Sequence, residues 1–419
     1  MTFEEAIAAL SALAPRGWRL GLERMQAFAE AAGLSDALGT GTPQYIQVAG
    51  TNGKGSVTAT LQSLLVEQGY RTGAYFSPYV YDPRERIQLG REMISHARFA
   101  ELAARLLPIA DALGPTFGEG ATEFEVKTAM GLTAWKEADC EWVALEVGLG
   151  GRLDATSVVT PACGVVVSIG LDHVSILGDT KEAIAAEKVG ILKPGMPLVL
   201  GAMDPGPREV CLAHAREKGS TVWEFGREIV LEGSTVSTPG HTYHGLVPVL
   251  QGSVQPHNMA LAVAALELSG ALRDPGAVAA GVAKVSLPGR FEQRTVRGKR
   301  VILDGAHNAP SGEALARSLQ ALKFGRLILV TGMLTGHDPR EFYHAFEPYQ
   351  PVAHTTPIHF GRTRSAEEVA EAIGQATTHA DAEEAVLAAL EGAGPEDLIL
   401  VTGSFYLVGE VGAILASLS

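Results

Sequence analysis

The stretch "VAGTNGKGSV", Val48 to Val57, places three glycines, a lysine and a serine between two apolar segments. The residues leading into it, "YIQVA" (Tyr45 to Ala49), read as a strand. Beyond it Val57, Leu61, Leu64 and Leu65 recur at i, i+4, i+7 and i+8, which is one face of a helix that Gly69 ends. A glycine loop that leaves a strand and opens a helix gathers backbone N–H groups and the helix dipole at one point, and that point favours an anion. Gly50, Gly53 and Gly55 permit positive φ and let a ligand approach the backbone. Lys54 can bridge phosphates and Ser56 can ligate Mg²⁺. The loop is not the usual G-x-x-x-x-G-K-[ST], because Gly55 follows Lys54 where a serine or threonine is expected. The plain alternative is a glycine-rich turn with a solvent lysine. Strand, glycines, Lys and Ser in this order favour a nucleotide site.

Around this stretch short apolar runs alternate with helical patterns, as in a mostly parallel α/β sheet. "WVALEV" (Trp142 to Val147) and "GVVVSI" (Gly164 to Ile169) read as buried strands. "TKEAIAAEKVGIL" (Thr180 to Leu192) reads as a helix capped by Thr180, with Pro194 beyond its end. The segment from Trp223 to Leu250, rich in Gly, Thr, Ser and Val, reads as a small antiparallel excursion. The alternation restarts with the strand "RVILDG" (Arg300 to Gly305), a helix marked by Leu315, Leu319 and Leu322, and the strands "RLILVTG" (Arg326 to Gly332) and "DLILVTG" (Asp397 to Gly403). The shared L-I-L-V-T-G is too short to count as a repeat. Pro288-Gly289 is a turn signal. It sets an expected boundary between a first domain over residues 1–287, which carries the glycine loop, and a smaller C-terminal domain over 288–419.

A length of 419 residues fits two domains. Apolar residues at 46% and charged residues at 19% make a soluble globular composition. A net charge of −14 argues against nucleic acid or anionic membrane as a partner and leaves room for a small anionic substrate in a local basic pocket. The N-terminal "MTFEEAIAAL" has acids where a signal peptide needs bases. No apolar run approaches the ~20 residues of a membrane span. Cys140, Cys163 and Cys211 lie far apart without C-x-x-C spacing and read as reduced thiols of a cytoplasmic protein.

Ligands of open parallel sheets sit outside the carboxyl ends of the strands. The glycine loop occupies that edge. So does Glu146, at the end of one strand, and so do Asp172 and His173 in "SIGLDHVSILGDT", just past another. Glu146 and His173 can therefore converge on a cation, with a carboxylate and a serine hydroxyl suiting Mg²⁺ better than an imidazole does. Alone, a strand-end glutamate is structural and an Asp-His pair is a cap. Lys188 in "AAEKVGILKPG" reads from spacing as an exposed helix lysine. In "DGAHNAPS", Asp304, His307 and Asn308 again follow a strand, either as ligand contacts or with Asp304 capping the next helix.

In order along the chain, "VAGTNGKGSV", "SPYVYDPRERI", "EVGLGGRLDAT", "SIGLDHVSILGDT", "AAEKVGILKPG", "LPGRFE" and "DGAHN" resemble the motifs of the folylpolyglutamate synthase and dihydrofolate synthase family, within the Mur ligase superfamily. "VTGSFYLVGEV" near the C-terminus also fits. The resemblance implies a large P-loop ATPase domain with a mostly parallel sheet, a smaller Rossmann-like C-terminal domain, and an active site in the cleft. It implies an ATP-dependent acid–amino-acid ligase that joins L-glutamate to dihydropteroate or to the γ-carboxylate of reduced folates through an acyl phosphate. ATP and Mg²⁺ are the implied cofactors, with K⁺ a further candidate; a monomer is the default expectation. Carried over by position, Gly50, Thr51, Asn52, Gly53, Lys54, Gly55 and Ser56 bind the phosphates. Ser77, Glu146 and His173 resemble the Mg²⁺ ligands. Lys188 resembles the family lysine that is carbamylated, which reverses the reading from its spacing. Asn258, Arg290, Asp304 and His307 resemble nucleotide and phosphate contacts. Ser77, Tyr79, Arg84 and Arg86, with Arg152 and Asp154 of the third motif, are the substrate-side candidates.

Four positions depart from the family pattern. Tyr79 stands where His commonly follows Ser-Pro, Ser157 where Asn follows "LDAT", Val189 where Ala follows the lysine, and Ala309 where Pro follows "DGAHN". None removes a candidate ligand. The competing readings are a Mur-type ligase acting on a cell-wall precursor and a nucleotide-dependent binding protein without catalysis.

Overall fold

The computed structural model describes residues 1–17, 21–336 and 338–418. Its contacts divide the chain into two compact units. The first holds Met1–Pro78, Pro83–Val249 and Pro256–Val285, and the second holds Tyr79–Asp82, Leu250–Gln255 and the stretch from Ser286 on.

The first unit is built on an eight-stranded sheet. Its order is β4 (Glu92–Met93), β3 (Ile87–Leu89), β2 (Thr72–Tyr75), β5 (Trp142–Glu146), β1 (Gln44–Ala49), β6 (Cys163–Val166), β7 (Leu198–Leu200) and β8 (Val222–Glu224). From β2 to β8 every neighbouring pair is parallel, and the antiparallel pairs are β2–β3 and β3–β4 at one edge. The central strands β5 and β6 are buried along their whole length, which is why they read as continuous apolar runs rather than alternating ones.

The helix after β1, Lys54–Glu67, is buried at every residue from Gly55 to Leu65. The spacing of Val57, Leu61, Leu64 and Leu65 predicts a single buried face. The polar side is covered as well, because the helix Val278–Ala283 packs there: Gly281 lies against Leu64, and its carbonyl accepts from Ser63 Oγ at 2.6 Å. β6 ends at Val166, three residues short of the predicted strand. Residues 167 to 170 leave the sheet to hold the glycine loop, as described below.

Residues 230–243 form the predicted antiparallel excursion as β9 (Val230–Glu232), β10 (Thr235–Ser237) and β11 (Thr242–Tyr243). Glu267 fastens it to the helix Gln255–Leu268 by accepting from Thr238 Oγ1 at 2.6 Å and Tyr243 OH at 2.7 Å.

The second unit carries a six-stranded sheet in the order β12 (Glu292–Val296), β13 (Lys299–Leu303), β17 (Leu398–Thr402), β14 (Leu327–Thr331), β15 (Val352–Thr355) and β16 (Ala376–Thr378). All pairs are parallel except β12–β13. Side chains alternate between two apolar layers. Ile302, Leu329 and Leu400 pack with Leu315, Leu319 and Phe342 on one face, while Val301, Val330 and Val401 pack with Val386, Leu407 and Val411 on the other. Helices therefore cover both faces, as in a doubly wound sheet. The two L-I-L-V-T segments are neighbouring strands, paired residue for residue from Leu327↔Leu398 to Thr331↔Thr402. Cys140, Cys163 and Cys211 are separate buried thiols. Among the described residues no helix is long and apolar enough to cross a membrane.

Candidate active site

The glycine loop lies at the carboxyl end of β1, flanked by the ends of β5 and β6. It is stitched to the segment that peels away from β6. Thr51 N donates to Ser168 O at 2.8 Å, and Asn52 N donates to Ser168 Oγ at 3.0 Å. The Thr51 hydroxyl donates to Gly170 O at 3.1 Å and accepts from Gly170 N at 3.0 Å. Ser168 and Gly170 are thus the loop's scaffold. The sequence signal for them is slight: Ser168 and Gly170 alternate with Val167, Ile169 and Leu171, where β6 reads as continuing.

Two of the three glycines use their conformational freedom. Gly50 has φ 153° and Gly53 has φ 83°, whereas Gly55 is already inside the helix. A Cβ on Gly53 would stand 2.8 Å from both Asn258 Oδ1 and Val167 Cγ1. Asn258, buried in the helix Gln255–Leu268, is therefore brought directly against the loop. Gly53→Ala is expected to strain the loop by about 1–3 kcal/mol and weaken ATP-analogue binding roughly tenfold or more. Calorimetric titration of a non-hydrolysable analogue checks this, and unchanged affinity would show that the loop relaxes freely.

Lys54 is the first residue of the helix, and its Nζ reaches back to Gly50 O at 3.0 Å and Thr51 O at 3.3 Å. Lys188 Nζ donates to the same Gly50 carbonyl at 3.0 Å. Lys188 sits in the last turn of the helix Lys181–Val189, which Thr180 caps as predicted, and it is 4% exposed. Burial first, and the nearby Lys54 second, pull its pKa down to about 7. The sequence spacing alone suggests an exposed lysine. The exposure is lost because Gly151, whose missing side chain lets it lie against the Glu187 and Lys188 carbonyls, closes over the helix end.

Ser77 and Glu146 are held together: Glu146 Oε2 accepts from Ser77 N at 3.0 Å, and the Glu146 side chain is buried at the end of β5. His173 follows the β6 segment with φ 49°, its ring about 40% exposed and its Nε2 3.8 Å from Asp172 Oδ1. Ser56 is buried in the first turns of the helix Lys54–Glu67. Among the described residues no group of three or more His, Cys, Asp or Glu side chains is close enough to hold a metal ion by itself. A buried carboxylate at the strand edge that also carries a phosphate loop suits a hard cation that draws its remaining oxygens from hydroxyls, phosphate and water.

The substrate-side candidates divide. Arg86 is buried, with its guanidinium 5.6 Å from the Tyr75 ring centroid and 5.5 Å from that of Phe124. Arg84 lies 5.7 Å from the Phe3 ring centroid, and Tyr79 belongs to the second unit. Asp154 is buried and accepts from Leu149 N at 2.8 Å and Thr156 N at 3.0 Å, so its carboxylate braces its own loop, and burial raises its pKa. The Phe124 ring and Asp154 both press on Gly148. Arg152 pairs with Glu187 at 2.7 Å on a half-exposed surface. Ser157, one of the departures, accepts from the buried Gln47 Nε2 at 2.9 Å and donates to Gly151 O at 2.6 Å.

In the second unit Asp304 holds its turn rather than capping the next helix. Its carboxylate accepts from Phe291 N at 2.8 Å and Ala306 N at 2.9 Å, while Asn308 caps the helix Ala309–Leu319 through Ser311. Burial raises the Asp304 pKa and Arg290 opposes that rise. Arg290 itself lies 4.0 Å over the Phe405 ring. His307 Nδ1 is 2.7 Å from Gly305 O, a distance at which it donates to that carbonyl. Ser404 caps the helix Phe405–Ser417 at the carboxyl end of β17, and Gly403 N donates to Ala306 O at 2.9 Å, which ties this end to the "DGAHN" turn.

Comparison with known proteins places this geometry. Residues 48–236 match the Mur ligase middle domain, and residues 289–405 match the Mur ligase glutamate ligase domain. The Escherichia coli dihydrofolate synthase/folylpolyglutamate synthase is 36% identical over 400 residues, covering 94% of this chain and 91% of the relative. The structure of the E. coli enzyme in complex with DHPP and ADP superposes with a TM-score of 0.90 at 32% identity, covering 100% of this chain and 98% of that one. A bifunctional folylpolyglutamate synthase/dihydrofolate synthase solved with Mn, AMPPNP and L-glutamate bound gives 0.87 at 31% identity, covering 99% and 98%. A glycine-loop sheet unit and a doubly wound second unit with these matches define a ligase of the Mur class. Within that class, the chain belongs to the dihydrofolate synthase/folylpolyglutamate synthase family.

Proposed function

We propose that this chain joins L-glutamate both to dihydropteroate and to the γ-carboxylate of folates, with ATP first converting the acceptor carboxylate to an acyl phosphate. ATP-dependent ligation of glutamate to a folate-type acceptor is the activity of its family. The observation that carries the reading here is the pair of lysines, Lys54 and Lys188, converging on the Gly50 carbonyl at the mouth of a glycine loop.

A carboxylate is a poor electrophile because oxide would have to leave. Its oxygen attacks the γ-phosphorus, the β–γ bridging P–O bond breaks, and ADP departs. The glutamate amine then attacks the acyl carbon, phosphate leaves, and the amine loses a proton to give the amide. The chain's residues meet the charge of the first step. Loop N–H groups and Lys54 face the phosphates, and Asn258 orders the loop. Ser77, Glu146 and His173 would hold Mg²⁺, which supplies counter-charge to the phosphates. Lys188, neutral enough at physiological pH to react with CO₂, would lose a proton and become a carbamate, turning a buried amine into an anion that suits a second cation. Asp304, His307 and Arg290 are read as the second unit's phosphate and nucleotide contacts, and Arg84, Arg86, Tyr79, Arg152 and Asp154 as the acceptor side. The absence of nucleic acid or anionic membrane among its partners fits the charge of −14, and a cytoplasmic monomer is the default state we assign.

The deciding assay supplies ATP and glutamate with dihydropteroate or with tetrahydrofolate, and follows ADP release and product mass. Both acceptors are expected to gain one glutamate. ADP release that ignores both pterins but needs a UDP-linked sugar acid would replace this reading with a cell-wall ligase.

A further inference from the structure

The residue before Asn258 has no part in the chemistry above, yet its ring is fixed from two sides. His257 lies in the first turn of the helix Gln255–Leu268. Its Nε2 accepts from Ala202 N at 3.2 Å, just beyond the end of β7. Its ring meets Phe225, just beyond the end of β8, edge to face with centroids 4.4 Å apart and planes at 68°. Both anchors stand at the carboxyl edge of the sheet, where the glycine loop also lies. Gly201, beside Ala202, packs so closely that an added Cβ would fall 2.0 Å from Val167 O and 3.1 Å from Leu261 Cδ1. Val167 in turn is one of the two residues pressing on Gly53, and Asn258 is the other.

These contacts form a closed ring of parts: the end of β7, the segment after β6, the glycine loop, Asn258, His257, and back to the end of β7. The first turn of a helix is where it frays most readily. Successive helical residues point about 100° apart, so anchoring His257 sets the direction in which Asn258 leaves the helix, and a hydrogen bond between the two side chains couples them directly. We infer that His257 is a positioning residue for nucleotide binding, holding Asn258 against Gly53 by accepting the Ala202 N–H and packing on Phe225. The inference rests on the reading of the glycine loop as the ATP site.

The role demands a particular protonation state. Nε2 must present a lone pair to Ala202 N–H, so the ring carries its proton on Nδ1 and is neutral. Burial lowers the imidazole pKa, which keeps that state populated at neutral pH.

Two substitutions separate the acceptor from the ring. His257→Phe keeps a ring against Phe225 and removes the acceptor. His257→Gln keeps an acceptor at similar reach and removes the ring. Losing the hydrogen bond is expected to weaken AMPPNP binding, measured by calorimetry, and to raise KM for ATP about fivefold to tenfold. In His257→Phe, kcat at saturating ATP and KM for glutamate stay within about twofold of the native chain, as expected of a loss confined to nucleotide binding. His257→Gln recovers most of the affinity. Phe225→Leu, which leaves His257 in place, gives a smaller loss of the same kind and serves if His257→Phe does not fold. Native AMPPNP affinity in both His257→Phe and Phe225→Leu overturns the inference. So does a fall in kcat alone, or equal impairment of the Phe and Gln variants. Failure of the native chain to bind AMPPNP overturns instead the nucleotide reading on which the inference stands.

Discussion

Lys188→Ala is expected to lower glutamate ligation by about a hundredfold to a thousandfold while leaving ATP-analogue binding largely intact, the size of effect seen when one preorganised charge is taken from a transition state. The expectation follows from where the amine sits. It is fully buried, shares the Gly50 carbonyl with Lys54, and is pulled to a pKa of about 7 by burial and by that neighbouring ammonium. An ordinary lysine at pH 7 is almost wholly protonated and inert toward CO₂. Here the neutral amine is a major species near pH 7 and dominates above it. Carbamate formation, and activity that depends on it, should therefore rise with pH between about 6 and 8 when bicarbonate is limiting.

The same shift has a stability sign. The unfolded lysine holds its proton up to about 10.5 and the folded one only to about 7, so the unfolded state binds more protons in that window and stability rises with pH across it. Short carboxylates added to Lys188→Ala are expected to restore part of the lost rate by placing an anion where the carbamate would stand. A carbon-13 NMR carbamate signal from the native chain in labelled bicarbonate, missing in the variant, tests the modification directly. An active Lys188→Ala, or an inactive one that no carboxylate improves together with no carbamate signal, would remove Lys188 from the mechanism.

Lys54→Ala should act at the other end of the same cradle. Its ammonium is held over the Gly50 and Thr51 carbonyls, and on the proposed reading a phosphate takes their place. Truncation is expected to cut kcat by about 10²–10³ and to raise KM for ATP as well, because this contact serves both bound ATP and the spreading charge of phosphoryl transfer. The thermal midpoint should stay close to native, since the lysine contacts only loop carbonyls. Near-native turnover would dissolve the phosphate role. Lys54→Arg should not restore full activity, because a planar fork does not reproduce a compact ammonium at a tight backbone cradle.

Much of this was readable from residue order. The strand, glycine loop and helix at Gln44–Glu67 are local, and local rules give them. The resemblance supplied the ligase chemistry and the importance of Lys188, against a spacing that argued for solvent. What remained hidden was tertiary. Nothing in "GVVVSI" says that the strand stops at Val166 so that Ser168 can tie down Thr51 and Asn52. Nothing local says that Asn258, some 200 positions downstream, presses on Gly53, or that Gly151 closes over Lys188. Asp304 reads either as a ligand contact or as a cap because it precedes a helix; the cap is Asn308, and Asp304 turns back to brace Phe291 and Ala306. Such pairings depend on which strand ends become neighbours, and topology decides that.

The twin strands of the second unit carry a consequence for how the chain finds its fold. Leu327–Thr331 and Leu398–Thr402 are the same five residues, lying side by side. If the two exchanged places, every position in each slot would be filled by the same residue type as before, so their own residues cannot dictate who occupies which slot. The choice is left to what each strand drags behind it. One leads to the loop and short helix at Pro339–Tyr343, and the other to the long apolar helix Phe405–Ser417, packed on the opposite face. Assembly of this sheet is in that sense addressed by its connections, and shortening either one would make the misthreaded arrangement a genuine competitor.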